Sequence, residues 1–360
     1  MNEHTEITPF DEVKAEAFAD RLVDALSAAA VVLMTSIGHR TALFDTLAGM
    51  PGCTSEKLAE QAGLAERYVR EWLGVMVTSG VVLYDPKTGV YTLPPEHAAF
   101  LTRDASPNNL AVTTQFIGVV ASVEEEMLAR FRDGGGTHYH HYGRFHEVMA
   151  EDSGQTVVAA LIDHILPLAP ELIERLEHGI DVLDVGCGAG RAMFRLAEAF
   201  PASRFVGVDL CADAFAETQI AAAKRDLNNL SFRVQDLSEI KSLGSFDLVT
   251  AFDAVHDQKD PQGLLDLVYG SLADDGVFLM QDIGGSRDLA ANIENPLAPL
   301  LYTISLMHCT PVSIGQGGPG LGAMWGVETA QEMLAIAGFG QIATHRLPHD
   351  PTNAYFIARR

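Results

Sequence analysis

The sequence predicts a mixed α/β fold. A seven-stranded sheet wound with helices is preceded by an α-helical unit with a small β-wing. Three observations predict it. First, the apolar run Val182-Leu183-Asp184-Val185 stops at a glycine-alternating turn, Gly186-Cys187-Gly188-Ala189-Gly190, and the helical pattern RAMFRLAEAF follows at once. Second, four further apolar runs follow in order, each ending at or beside an aspartate. Third, residues 54–93 read as helix, turn, helix and two short strands. Strand, tight turn and helix N-terminus in that order form a nucleotide-binding corner.

At 360 residues the length predicts two domains, or one with an extension. Residues 11–50 are helical in pattern, with Phe18, Leu22 and Leu26 spaced by four. Ala25 to Met34 is apolar, but about ten residues fall short of a bilayer, so it reads as a buried helix. The acidic leader MNEHTEITPFDE has no apolar core and does not resemble a signal peptide. Thr54 or Ser55 can cap a short helix through Gln61, and Gly63 turns the chain. Ala65 to Ser79 is a second helix, with Val69, Leu73 and Met76 on one face, and Gly80 ends it. The strands Val81–Tyr84 and Val90–Leu93 flank the turn Asp85-Pro86-Lys87-Thr88-Gly89. The sum is a winged helix.

Residues 98–180 look helical with breaks. Gly134-Gly135-Gly136 reads as a flexible joint, followed by the histidine- and tyrosine-rich stretch 137–146. The second strand, Arg204 to Asp209, puts an acid about 20 residues beyond the glycines, where such a fold offers a carboxylate to ribose hydroxyls. Leu210 follows it. The third strand, Leu230 to Gln235, runs into Asp236 and Leu237, well placed for an adenine amine. The fourth ends at Phe252 and leads into Asp253-Ala254-Val255-His256-Asp257, and the fifth ends at Gln281-Asp282. Residues 308–326 look irregular, and a loop this long inside a domain is usually functional. Helix Val327–Ala337 and strands Gln341–Leu347 and Asn353–Ala358 close the sheet. The expected organisation is a winged-helix dimerisation domain over 1–110, a helical linker and lid over 111–180, and the α/β domain over 181–360.

The spacing of the glycines selects among ligands. A dinucleotide fingerprint would put glycine or alanine where Arg191 stands. Asp-x-Gly-x-Gly-x-Gly instead resembles the first motif of class I S-adenosylmethionine (SAM) methyltransferases, with a Rossmann-like domain. SAM carries no pyrophosphate. It carries a methionine ammonium, which Asp184 can hold directly or through water. The resemblance assigns the cofactor to Asp184, Gly186, Cys187, Gly188, Gly190, Asp209, Leu210, Asp236, Leu237, Phe252 and Asp253, with S-adenosylhomocysteine as product. Nearly the whole chain resembles bacterial and plant small-molecule O-methyltransferases. Arg144 to Met149, Asp253 to Gln258 and Gly317 to Gly326 resemble more closely a bacterial and nematode subgroup of winged-helix methyltransferases often labelled as regulators. The resemblance implies a homodimer. One departure stands out: plant-type members carry a base histidine after the fifth strand, and Gln281-Asp282-Ile283-Gly284 has none.

Methyl transfer is an in-line displacement, and a hydroxyl nucleophile benefits from a base. His256 is the first candidate, with Asp257 or Asp253 to orient it; the alternative is a pocket-lining or helix-capping histidine. Tyr139, Tyr142, His146, His308, Met324 and Trp325 are expected to wall a substrate pocket with His256. His138 and His140 are two apart and point apart on a helix, so no metal site is assigned.

A net charge of −24, from 48 acids against 24 Lys and Arg, repels phosphate backbones and anionic membranes. In the candidate recognition helix Ala65 to Trp72, two arginines are offset by two glutamates. These points argue against nucleic acid and membrane as partners. Four cysteines without a CxxC pair suggest free thiols and a cytoplasmic location. The expected function is SAM-dependent methylation of a hydroxyl or amine on a small, largely apolar molecule. The alternatives are a SAM-sensing winged-helix regulator and a SAM-binding enzyme of non-methylating chemistry.

Overall fold

The computed structural model describes residues 10–360. Most of the acidic N-terminal leader lies outside the described residues. Two compact units are present. One holds the chain through Ala105 and residues 109–117; the other holds 106–108 and everything from Gly118 onward.

The first unit starts with helix α1 (Glu12–Arg40), capped by Asp11, whose side chain accepts from the Lys14 N–H. Helices α2 (Leu43–Ala48), α3 (Ser55–Ala62) and α4 (Glu66–Thr78) follow, then strands β1 (Leu83–Asp85) and β2 (Val90–Thr92). Thr54 caps α3, and Gly63 ends it in the left-handed region at φ 66°. The core gathers Phe44, Leu47, Leu58, Trp72, Leu73 and Met76. Phe44 meets Trp72 edge-on at 5.1 Å, and Trp72 Nε1 donates to the Met34 carbonyl. Gly38 lets α1 dock here, because a Cβ would lie 2.6 Å from the Phe44 ring. The sequence reading of Ala25–Met34 as a buried helix is corrected. Only Thr35, Ser36, Gly38 and His39 of α1 are buried. Leu26 is 66% exposed, and Phe18, Leu22, Leu33 and Ile37 are exposed with it. Composition made the segment apolar; within its own unit only its end is covered, where Val31 and Met34 pack on the core. By length and composition, α1 also reaches what a membrane crossing requires, beyond the ten residues counted from sequence.

The second unit is built on one seven-stranded sheet. Its strands are β3 (Asp181–Val185), β4 (Arg204–Asp209), β5 (Leu230–Val234), β6 (Phe246–Phe252), β7 (Leu272–Ile283), β8 (Gln341–Leu347) and β9 (Asp350–Arg359). The order is β5-β4-β3-β6-β7-β9-β8, with β9 antiparallel to β7 and β8 and the rest parallel. Successive residues feed opposite faces, as the pleat demands. Val182, Leu248 and Leu279 join one core with Leu161, Leu172 and Leu196. Leu183, Val249 and Phe278 join the other with Leu265, Trp325 and Leu334. The chain winds outward from β3 to β5, then crosses back to β6. The crevice for a ligand therefore opens at the carboxyl ends of β3 and β6.

Two local readings change. The stretch expected to be irregular from His308 is helical through Gly315, in a π-turn over Ser305–Cys309 and a short helix over Thr310–Gly315. The glycine joint at 134–136 is packed at its far end: a Cβ on Gly136 would lie 2.0 Å from the Gly315 nitrogen. The Thr137 N–H donates to the Pro311 carbonyl at 2.8 Å beside it.

Candidate active site

A cavity opens at the carboxyl edge of the sheet, lined by the β3 turn, the ends of β4, β5 and β6, and parts of the segment from Tyr139 to Val158. Gly186, Gly188 and Gly190 all have positive φ. A Cβ on Gly190 would strike Phe232 at 2.3 Å, whereas one on Gly188 would meet nothing within 4 Å. Gly188 thus turns a bare backbone toward open space.

Each acid is held differently. Asp184 is buried and accepts from the Thr250 hydroxyl at 2.7 Å, because β3 and β6 pair these two residues. Burial pushes its carboxyl up to about 7, with the Thr250 bond opposing and nearby Asp209 adding to the rise. Asp209 accepts from the Gly188 and Cys211 backbone N–H groups, tying the end of β4 to the glycine turn. Asp236 accepts from the Ser238 hydroxyl and N–H, which hold its carboxyl below the ordinary value. Asp253 sits at φ 53°, a left-handed conformation that a non-glycine residue rarely adopts. Gly186, Cys187, Leu210, Leu237 and Phe252 complete this part of the lining.

Beyond the glycine turn, the wall is formed by Tyr139, Phe145, His146, Met149 and Asp257. The Tyr139 hydroxyl donates to Asp257 Oδ2 at 2.5 Å. Tyr142, His256, His308, Met324 and Trp325 are buried and stand outside the lining. Each has an identifiable neighbour instead. Tyr142 donates to the Met307 carbonyl, and His308 stacks on Phe145 at 3.4 Å. Met324 lies where a Cβ on Gly285 would fall, 2.7 Å from its terminal carbon.

His256 is oriented by Asp282, with Nδ1 donating to Oδ1 at 2.8 Å; Asp253 is 3.8 Å away. Asp257, expected as a partner, bonds Tyr139 instead. Trp325 Nε1 and the Ile283 N–H also donate to Asp282 Oδ1. Burial works against a charged His256, but the Asp282 carboxylate and the Cys309 thiol beside it raise its pKa well above the usual value. Asp282 and Thr250 were missed as site residues. The available signal was positional: Asp282 stands at the carboxyl end of the fifth strand of this sheet, the edge where an open α/β sheet places its ligands.

The histidines of 138–146 do not share a focus. His138 stacks on His140, and His141 pairs with Glu126. Among the described residues, Asp253, His256 and Asp282 are the one group close enough to share an ion, and His256 is already bonded to Asp282.

Residues 29–103 match the family of Rv2258c-like winged HTH domains, and residues 176–316 match a methyltransferase domain family. The chain therefore carries a winged-helix domain followed by a methyltransferase domain of the class I SAM-binding fold. Two solved structures share its architecture. Human N-acetylserotonin methyltransferase in complex with SAM covers 95% of this chain and 97% of its own, at 17% identity and TM-score 0.66. The mitomycin 7-O-methyltransferase covers 97% of this chain and 100% of its own, at 18% identity and TM-score 0.68. At that identity the likeness is one of fold. A nocamycin O-methyltransferase from Saccharothrix syringae is 36% identical over 94 residues, 25% of this chain and 34% of that protein. The chain thus spans about a third of the length of that relative.

Proposed function

We propose that this chain is a SAM-dependent methyltransferase that methylates a hydroxyl or amine on a small, largely apolar molecule. One observation carries the reading: Asp184, Asp209 and Asp236, from three successive strand ends, line a single cavity with the bare backbone of Gly188. This donor set fits the cofactor. Asp184 would take the methionine ammonium, Asp209 the ribose hydroxyls and Asp236 the adenine amine. Gly188 leaves the room that a side chain would fill. When bound, SAM supplies an electrophilic methyl group. The chain's residues hold it in line with the acceptor and exclude water, a proximity term that can carry much of the rate. His256, proposed from sequence as the base, is buried and bonded to Asp282. Its role on this reading is to brace the loop after β6 that carries Asp253 and Asp257.

The reading extends to a cytoplasmic homodimer that does not read DNA. The exposed stripe of α1 is the surface a second copy would cover. The paired arginines of α4 argue against a phosphate-binding face.

Calorimetry tests the assignment. SAM or S-adenosylhomocysteine should bind with a Kd in the micromolar range, about −8 kcal/mol. Gly188→Val should abolish binding, because a β-branched residue at φ 50° is strained and its side chain enters the cavity. Unchanged affinity in that variant would sink the proposal.

A further inference from the structure

We propose that Tyr139 and Asp257 form the docking point for the methyl acceptor and take up its proton. The site then selects acceptors, neutral or cationic, that arrive with a proton on the reacting atom. This rests on the methyl-transfer reading above and deepens it.

Three observations carry the proposal. First, Tyr139 and Asp257 come from segments 118 residues apart, yet share a 2.5 Å hydrogen bond and line the same cavity as Asp184 and Asp253. The Tyr139 oxygen donates to Asp257 and keeps lone pairs to accept from a ligand O–H or N–H. Second, the Tyr139 ring stands beside His146 at 5.4 Å and Phe145 at 6.5 Å, and all three line the cavity. Such a wall suits a planar organic group. Third, six aspartates line the cavity against one arginine and one lysine. Arg191 is engaged in a hydrogen bond to the Ala150 carbonyl. An anion entering here would meet carboxylates on most sides.

His256 is tied to Asp282, and Asp257 is the cavity carboxylate that Tyr139 bonds. Its surroundings strengthen it as a base. Burial raises its pKa, Asp282 and Asp209 add to the rise, and His256 and the Tyr139 bond oppose it. Tyr139 itself stays protonated, since burial and the Asp257 charge hold its pKa well above the ordinary value.

The step balances. The acceptor O–H bond breaks and its proton passes to the Tyr139 oxygen, while the Tyr139 proton moves to Asp257. The oxygen's electron pair forms the O–CH3 bond, and the S–CH3 bond breaks with its pair returning to sulfur. A sulfonium and a carboxylate become a neutral thioether and a neutral acid.

The test uses 4-nitrophenol, which is yellow only as the phenolate. It is added at half-ionisation to the full chain loaded with S-adenosylhomocysteine. Wild type should bind the phenol form and bleach the phenolate band. Tyr139→Phe should weaken binding about tenfold, the worth of one hydrogen bond to a charged network. Asp257→Asn should abolish the bleaching, because the amide no longer prefers a proton donor. Calorimetry with S-adenosylhomocysteine on each variant separates the two levels. Loss of cofactor binding in wild type removes both readings. Normal cofactor binding with no probe binding, with equal binding of phenolate and phenol, or with indifference to both substitutions overturns this proposal alone.

Discussion

Asp184 shows how a single residue's surroundings set a measurable property of the site. Its carboxyl is pushed up to about 7 by burial. A cationic ligand binds the ionised form, so below about pH 7 binding must first expel a proton. SAM affinity should therefore fall about tenfold per pH unit below that point and level off above it. Asp184→Asn should bind weakly and show no such slope; calorimetry across pH 5.5 to 8.5, a range of about 3 units around the carboxyl's pKa, checks it. The buried His256–Asp282 pair should behave in the opposite sense. The folded pKa of His256 is raised above its unfolded value. Its contribution to stability is thus full below about 6.5, the unfolded pKa, and is lost as pH rises through the folded one. Asp282→Asn should cost about 3 kcal/mol in acid, since it breaks a buried pair. Denaturant titrations of both proteins should show the gap narrowing toward alkaline pH. A gap that widens would contradict the assigned charge state.

At the scale of elements, much was legible in the sequence. Helix Val327–Ala337 and strand Gln341–Leu347 fall where pattern put them. So do the caps of α3, because capping, glycine turns and period-two alternation are local rules. What was not legible depends on register and on distant cover. Asp282 reaches His256 because β6 and β7 pair Phe252 with Gln281, and because Trp325 closes over the carboxylate from 43 residues away. No local signal marks that. The walls expected from Tyr142, His308 and Met324 went inward for the same reason. Helix α4 supports a further expectation. Arg70 bonds Glu66, and Arg67 bonds Glu71, so neither arginine is free to displace counterions. A duplex-shift assay at about 150 mM salt, where specific DNA binders still hold, should show no complex. A nanomolar, sequence-selective band would restore the regulator reading.

At the scale of the whole molecule, α1 carries the proposed dimer contact. Phe18, Leu22 and Leu26 lie one helical turn apart and are all exposed. Full-length protein should sediment as a dimer at micromolar concentration. Leu22→Glu with Leu26→Glu should shift it to monomer while the SAM domain still binds its cofactor. A wild type that stays monomeric throughout would count against the proposed dimer.

The contact between Gly136 and Gly315 has a consequence for how this chain can change over generations. Gly315 occupies the space where a Gly136 side chain would fall, and the Thr137 backbone next to Gly136 occupies the space where a Gly315 side chain would fall. Most packing contacts can drift, with a gain on one side matched by a loss on the other. Here both partners are already the smallest residue there is, so no second-site change at one can restore what is lost at the other. The segment carrying Tyr139 hangs from this junction. In a saturation library the two positions should be intolerant independently, each rejecting alanine whatever stands at its counterpart.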